Sequence, residues 1–259
     1  MCRFLMFQSR HEVPLAAFLK DAPHALVQQA AAPKEMHPNL PSADGWGVAW
    51  YAEGMAEPGA YRTVLPMWRD SNLGTLTPHL HASHFIAATR VATGNAELAI
   101  TNVQPFTKDC ISFAHNGVLQ DFEASCLAAM RRQMSEVGQS IPRGVTDSAH
   151  LFALLLDALP ISAGLGPAVD RLIVTVAKLC RESGKAATLN LLLSDGREAV
   201  AARYASPGKT APSLYWRQGG HDILVASERL DEDVRWQAIK ANTRMSFVAG
   251  ALASKETVG

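Results

Sequence analysis

Apolar and polar positions alternate in four segments of the first half of the chain: 45–53 (GWGVAWYAE), 61–68 (YRTVLPMW), 84–92 (HFIAATRVA) and 110–119 (CISFAHNGVL). Their β-branched and aromatic content predicts strands, and the opening run MCRFLMFQS has the same character. Residues 14–30 have helix-compatible composition, with Pro23 interrupting or beginning a helix. The stretch 32–44 is rich in Pro and polar residues and reads as a loop. Helices are predicted over 121–136, 147–159 and 165–183; for the second, Thr146 is the N-cap and Pro160 the stop. Strands return at 187–195, 198–205, 213–218 and 222–228, separated by the turn signals SDG, SPG and GGHD. Strands, then helices, then strands argue for two sheets with a helical layer rather than a βαβ winding. Nothing between them reads as a linker, so 2–259 is expected to form one domain.

Composition narrows the classes. Lys plus Arg and Asp plus Glu each number 24, for a formal charge of zero. Without a basic excess or stripe the ligand is expected to be a small molecule, not a nucleic acid. No window carries the roughly 18 continuous apolar residues of a membrane span, and the start lacks the pattern of a secretory leader. The four cysteines, Cys2, Cys110, Cys126 and Cys180, have no CxxC pairing and read as free thiols of a cytoplasmic chain. No histidine or cysteine set has zinc spacing and no glycine loop fits a phosphate, so neither metal nor cofactor is expected.

Five stretches could carry chemistry, and each has a plainer reading. Cys2 is a buried edge-strand residue or, once Met1 is removed, a nucleophile whose own α-amine (reference pKa about 7.7–8.0) can serve as base. Asp44-Gly45-Trp46-Gly47 is a hairpin entry with a core Trp or a place of close backbone approach. Arg90, ending an apolar strand, is a structural ion pair or a fork for a carboxylate. His115-Asn116-Gly117 is a turn or the parts of an oxyanion hole. Asp147 is a helix cap or a partner for an ammonium group.

Taken in order, Cys2, DGWG, Arg90, HNG and TDS resemble a class II glutamine amidotransferase domain of the N-terminal-nucleophile type, over nearly the whole chain. Within that family, MCR, ADGWGV, VLPMW, HNGVL, LNLLLSDG and ILVASERLDEDVRW are similar to the stand-alone γ-glutamyl hercynylcysteine S-oxide hydrolases of ergothioneine biosynthesis. Residues 229–236 depart from the Pro-containing version usual there. The resemblance implies an α+β, four-layer αββα sandwich with two mostly antiparallel sheets between helical layers. It also implies hydrolysis of a γ-glutamyl amide through a Cys2 thioester, with Asn116 and Gly117 as oxyanion donors. Arg90 would hold the glutamyl α-carboxylate and Asp147 the α-ammonium, with Trp46, Gly47 and His115 beside the substrate. A glutaminase component serving a separate synthase and an inactive binding member remain alternatives, and a homo-oligomer stays open. The leaving-amine pocket is expected among loops 32–43 and 66–82.

Overall fold

The central strands decide the architecture, because strands such as those at Arg3–Pro14 and His81–Thr89 carry apolar residues on both faces. The computed structural model describes residues 2–35, 40–92, 98–141 and 146–258. In chain order the elements are β1 (Arg3–Pro14), α1 (Leu26–Ala31), β2 (Trp46–Tyr51), β3 (Gly59–Thr63), α2 (Ser71–Leu76), β4 (His81–Thr89), β5 (Phe106–Lys108) and β6 (Ile111–Leu119). Five helices follow: α3 (Phe122–Ser125), α4 (Leu127–Gln133), α5 (Glu136–Ser140), α6 (Asp147–Ala158) and α7 (Leu165–Glu182). The chain then forms β7 (Ala187–Ser194), β8 (Glu198–Ala205), β9 (Tyr215–Gln218), β10 (Asp222–Ala226), β11 (Gln237–Ala238), β12 (Thr243–Val248) and β13 (Ala251–Thr257).

One sheet has seven strands in the order β11-β9-β10-β1-β4-β2-β3, the other six in the order β13-β12-β8-β7-β6-β5, and the strand pairings are antiparallel. Phe4, Met6, Ile86 and Ala88 of the first sheet meet Ala114, Leu192, Ala201 and Phe247 of the second in the layer between them. The intervening residues Leu5, Phe7, Phe85 and Ala87 point the other way, onto Leu19, Leu26 and Leu73 of the outer layer. On the far side Phe113, Leu189, Leu191 and Val200 pack against α4, α6 and α7. The result is the expected αββα order of layers, the central strands of each sheet buried on both faces.

The differences from the sequence reading have local causes. The strand expected over 61–68 ends at Thr63; Pro66 begins a single 3-10 turn at Met67–Arg69, and its missing N–H cannot extend a ladder. The helix expected over 121–136 is a chain of short ones, because Met134 is extended (ψ 141°) and Ser135 caps a fresh start by accepting from the Gly138 N–H at 3.0 Å. Residues 14–30 hold a π-type turn at Ala17–Asp21 and then α1, broken around Pro23. Strands β11 to β13 were not read from the sequence. Their hairpin turns through Ala249 (φ 51°) and Gly250 (φ 74°), a pair without the usual Asn-Gly signature. Part of the 32–44 loop, residues 36–39, lies outside the described residues; the rest forms no helix or strand.

All four cysteines are free thiols. Cys126 and Cys180 lie buried with their Sγ atoms 3.1 Å apart between α4 and α7, while Cys110 is exposed. Among the described residues no helix is long and apolar enough to cross a membrane, and no group of three acidic, His or Cys side chains could hold a metal ion.

The fold also carries an acid-sensitive group. His84 on β4 is buried, and burial pulls its imidazole down from 6.5 to about 4, against weaker opposing effects of Gly196 and Asp195. A folded value below the unfolded one means that the unfolded chain binds more protons between those values. Stability is therefore full above about pH 6.5 and is lost progressively as pH falls toward 4, by about 3 kcal/mol. His84→Leu should reduce the difference in urea-unfolding free energy between pH 7 and pH 4 by about that amount. Equal pH dependences in the two proteins would remove His84 as the cause.

Candidate active site

The site lies where strand ends from both sheets meet. In the first sheet Arg3 pairs with Thr89 and Thr89 with Trp46, so the start of β1, the end of β4 and the start of β2 share one rim. Cys2 precedes β1 and Arg90 follows β4 at that rim. In the second sheet, Asn116 and Gly117 occupy the end of β6, and Asp147 opens α6 beside them. The Asp147 carboxylate accepts from the Leu119 N–H at 3.2 Å through Oδ2, and from the Ser148 N–H at 2.7 Å through Oδ1. Thr146 supplies the N-cap by accepting from the Ala149 N–H at 3.3 Å. Asp147 is thus free of the capping duty and ties the helix start to the strand end.

The environment of the Cys2 thiol brings these groups together. Burial pushes the thiol above its ordinary value. A hydrogen bond from the backbone of Val91 and the positive guanidinium of Arg90 favour the thiolate, whereas the Asp147 carboxylate opposes it. The Cys2 thiol therefore sits under the opposed fields of Arg90, just past the end of β4, and Asp147, at the start of α6.

Asn116 is 1% exposed, and both its side-chain Oδ1 and Nδ2 are buried without a hydrogen-bond partner. Alternation puts it on the same face of β6 as Ala114, toward the layer between the sheets. An unpaired amide there is costly, by about 1–3 kcal/mol. The backbone of Gly117 complements it. The N–H groups of His115 and Leu119 leave the edge of β6, to the Gln104 side chain and to Asp147. With the period of two, the Gly117 N–H between them is directed to that same edge. A side chain at 117 would collide with the Thr188 carbonyl, so glycine is required by close approach.

Three further residues were expected beside the substrate: His115, Trp46 and Gly47. His115 is one residue from Asn116 and therefore on the opposite face of β6. It is buried, with Nδ1 2.9 Å from Ser148 Oγ, and burial lowers its imidazole pKa against the pull of Asp147. Trp46 is also buried, on the outer face of the first sheet, donating from Nε1 to Asp70 Oδ2 at 3.0 Å and packing on Tyr61. Gly47 faces the Gln104 carbonyl, which would lie 2.6 Å from a Cβ there. The side chains of His115 and Trp46 are thus engaged by Ser148 and Asp70 within the protein. The DGWG segment acts through Asp44 and Gly45: the Asp44 carboxylate accepts from the Ala92 N–H at 2.7 Å, and Gly45 O accepts from the Arg90 N–H at 2.8 Å. That brace sets the backbone on which Arg90 stands.

Sequence reasoning missed two supports. The Gln104 side chain brackets His115, accepting its N–H at 2.5 Å and donating to its carbonyl at 3.1 Å, which fixes the strand just before Asn116. Glu228 anchors Arg3, as described below. Neither has a local signal, since each meets a residue far away in the chain. Residues 66–82, expected near a leaving group, instead fold into the Met67–Arg69 turn and α2 on the outer face, whereas 34–35 dock beside Arg3.

Comparison with known proteins agrees with this geometry. Residues 21–208, most of the chain, match the family model for class II glutamine amidotransferases. The chain belongs to that family. It is accordingly an amidohydrolase-type enzyme of the N-terminal-nucleophile class. It is 30% identical over 236 residues to the gamma-glutamyl-hercynylcysteine sulfoxide hydrolase of Mycobacterium tuberculosis, covering 91% of this chain and 88% of that protein. It is 28% identical over 264 residues to the probable glutamine amidotransferase DUG3 of Saccharomyces cerevisiae, covering 90% and 73%. A glutamine aminotransferase class-II domain protein from Silicibacter pomeroyi superposes with a TM-score of 0.71 at 26% identity over 99% of both chains.

Proposed function

We propose that the chain, as one domain, hydrolyses a γ-glutamyl amide through a thioester on Cys2, with γ-glutamyl hercynylcysteine S-oxide as the substrate. The observation that carries this reading is the Cys2 thiol set under the opposed charges of Arg90 and Asp147. A free glutamyl end has one carboxylate and one ammonium, and the two residues complement both. The similarity to the mycobacterial hydrolase supports the choice of substrate.

In this mechanism removal of Met1 frees the α-amine of Cys2, which takes the thiol proton as sulfur attacks the γ-carbonyl carbon. The Asn116 side-chain N–H and the Gly117 N–H bind the resulting oxyanion. Collapse breaks the C–N bond, and the leaving amine takes the proton from the α-ammonium. Water, deprotonated by the same amine, then attacks the thioester and releases glutamate and the thiol. Because burial disfavours an isolated thiolate at Cys2, proton transfer concerted with attack is the favoured course.

The deciding experiment is a screen for glutamate release from glutamine, γ-glutamyl thioethers and γ-glutamyl S-oxides, with the intact mass of the N-terminus measured in parallel. Fastest release from the S-oxide is expected. Preference for glutamine would favour the glutaminase alternative, and a retained Met1 with no release would favour the inactive one. Arg90→Ala should raise KM by about 10- to 100-fold with kcat little changed, the worth of a charged bidentate grip. Unchanged kinetics would take Arg90 out of the site.

A further inference from the structure

The Cys2–Arg3 peptide is held by a buried ionic hub on the outer face of the first sheet. Arg3 is 1% exposed; its Nη1 donates to the Cys2 carbonyl at 3.0 Å and its Nε to Glu228 Oε1 at 2.8 Å. Glu228, also 1% exposed, accepts in addition from His24 Nε2 at 2.7 Å and from the backbone N–H groups of Lys34 at 2.9 Å and Glu35 at 3.2 Å. Each carboxylate oxygen thus receives two donors, and these hold its pKa down at about 2 although burial works the other way. The neighbouring Ser227 reinforces the grip, accepting from the Phe4 N–H at 3.1 Å through Oγ and donating its own N–H to the Phe4 carbonyl. Thr89 Oγ1 closes the other side, accepting from the Arg3 N–H at 3.2 Å.

Chain termini fray unless tied down, and a nucleophile on the first residue tolerates little displacement. We propose that Arg3 and Glu228 are a positioning pair for the nucleophile, holding the Cys2 peptide in place and linking it to the docked segment 34–35 through one carboxylate. This rests on the reading of Cys2 as the nucleophile. The pair acts through Cys2 and makes no contact with the substrate. A buried pair of this kind is a poor source of stability compared with apolar packing, which fits a role in fixing geometry. Glu228→Gln tests it sharply. An amide replaces one acceptor oxygen with a donor, so either Arg3 and the Glu35 N–H or the Lys34 N–H must lose an acceptor.

The experiment compares wild type, Arg3→Ala, Arg3→Lys and Glu228→Gln with two readouts. The first is the steady-state hydrolysis of the best γ-glutamyl compound from the screen. Arg3→Ala and Glu228→Gln should lower kcat by about 10²-fold, the cost of misplacing a reacting group by about 1 Å, with KM within a few-fold. Arg3→Lys, which keeps a cation, should retain more activity than Arg3→Ala. Millimolar guanidinium chloride, but not sodium chloride, should restore part of kcat in Arg3→Ala. A cavity of about 290 Å³ lined by His24, Lys34, Glu228 and Asp231 gives a small cation access to the vacated place.

The second readout needs no glutamyl chemistry: the rate of iodoacetamide alkylation at Cys2 relative to the exposed Cys110 in the same molecule. A loosened terminus should raise that ratio in Arg3→Ala and Glu228→Gln. Unchanged kcat with an unchanged ratio would overturn the pair as a positioning device, as would a loss of activity that appears in KM alone. If wild type hydrolyses no γ-glutamyl compound, the functional reading fails, while the alkylation ratio still decides whether the pair anchors the terminus.

Discussion

Cys2→Ala should abolish γ-glutamyl hydrolysis while leaving the melting temperature within a degree or two of wild type. The residue precedes β1 and alanine lacks only its sulfur, so truncation removes little packing, whereas the thioester cannot form without it. The hub of Arg3, Glu228 and Ser227 grips main-chain atoms of Cys2 and Phe4, which alanine keeps. Glutamate release measured against time, together with a thermal melt, gives the result. A γ-glutamyl diazo-ketone should add its mass to wild type at Cys2 and not to the variant. Unfolding of Cys2→Ala would show a structural cysteine, and retained turnover would falsify the nucleophile assignment.

Asn116→Leu should lower kcat by about 10²–10³-fold, the usual worth of one oxyanion donor. The same change should leave the melting temperature unchanged or raise it. Both polar atoms of the Asn116 side chain are buried without partners, so an apolar side chain of similar volume removes a desolvation cost rather than a bond. Opposite effects on rate and stability at one residue are the signature of a group retained for chemistry. A drop in stability with kcat preserved would instead make Asn116 a structural amide. KM should move little, since the amide is used as charge develops on the carbonyl oxygen.

Much of the sandwich could be read from the chain, for reasons visible in particular segments. ATLNLLLSD and EAVAARYA, short apolar runs bounded by the turn signals SDG and SPG, became β7 and β8. Thr146 and Pro160 bounded α6 as helix chemistry demands. The region around Met134 was not legible because a break between short helices depends on what each one packs against. Strands β12 and β13 were missed because their turn lacks the residues that usually announce one. In the candidate site, Arg90 drew notice because a charge ending an apolar strand is costly unless it is paired, Asn116 through its Asn-Gly pair and Asp147 through its place in a helix's first turn. His115 and Trp46 belong to the same short motifs, but where their side chains point is decided by the strands. The period of two puts adjacent side chains on opposite faces, so His115 and Asn116 cannot both face the rim.

The sequence by itself determined which residue types stand at the ends of the strands, and with them the class of chemistry. Local periodicity, caps and the order of polar interruptions are written in residues a few positions apart. Only the tertiary structure decided which of those groups share a space. Arg3 and Glu228 are 225 residues apart along the chain and 2.8 Å apart in the fold. Such a pairing depends on the register of β1 against β10, and register is a property of whole sheets, set by the packing of both faces.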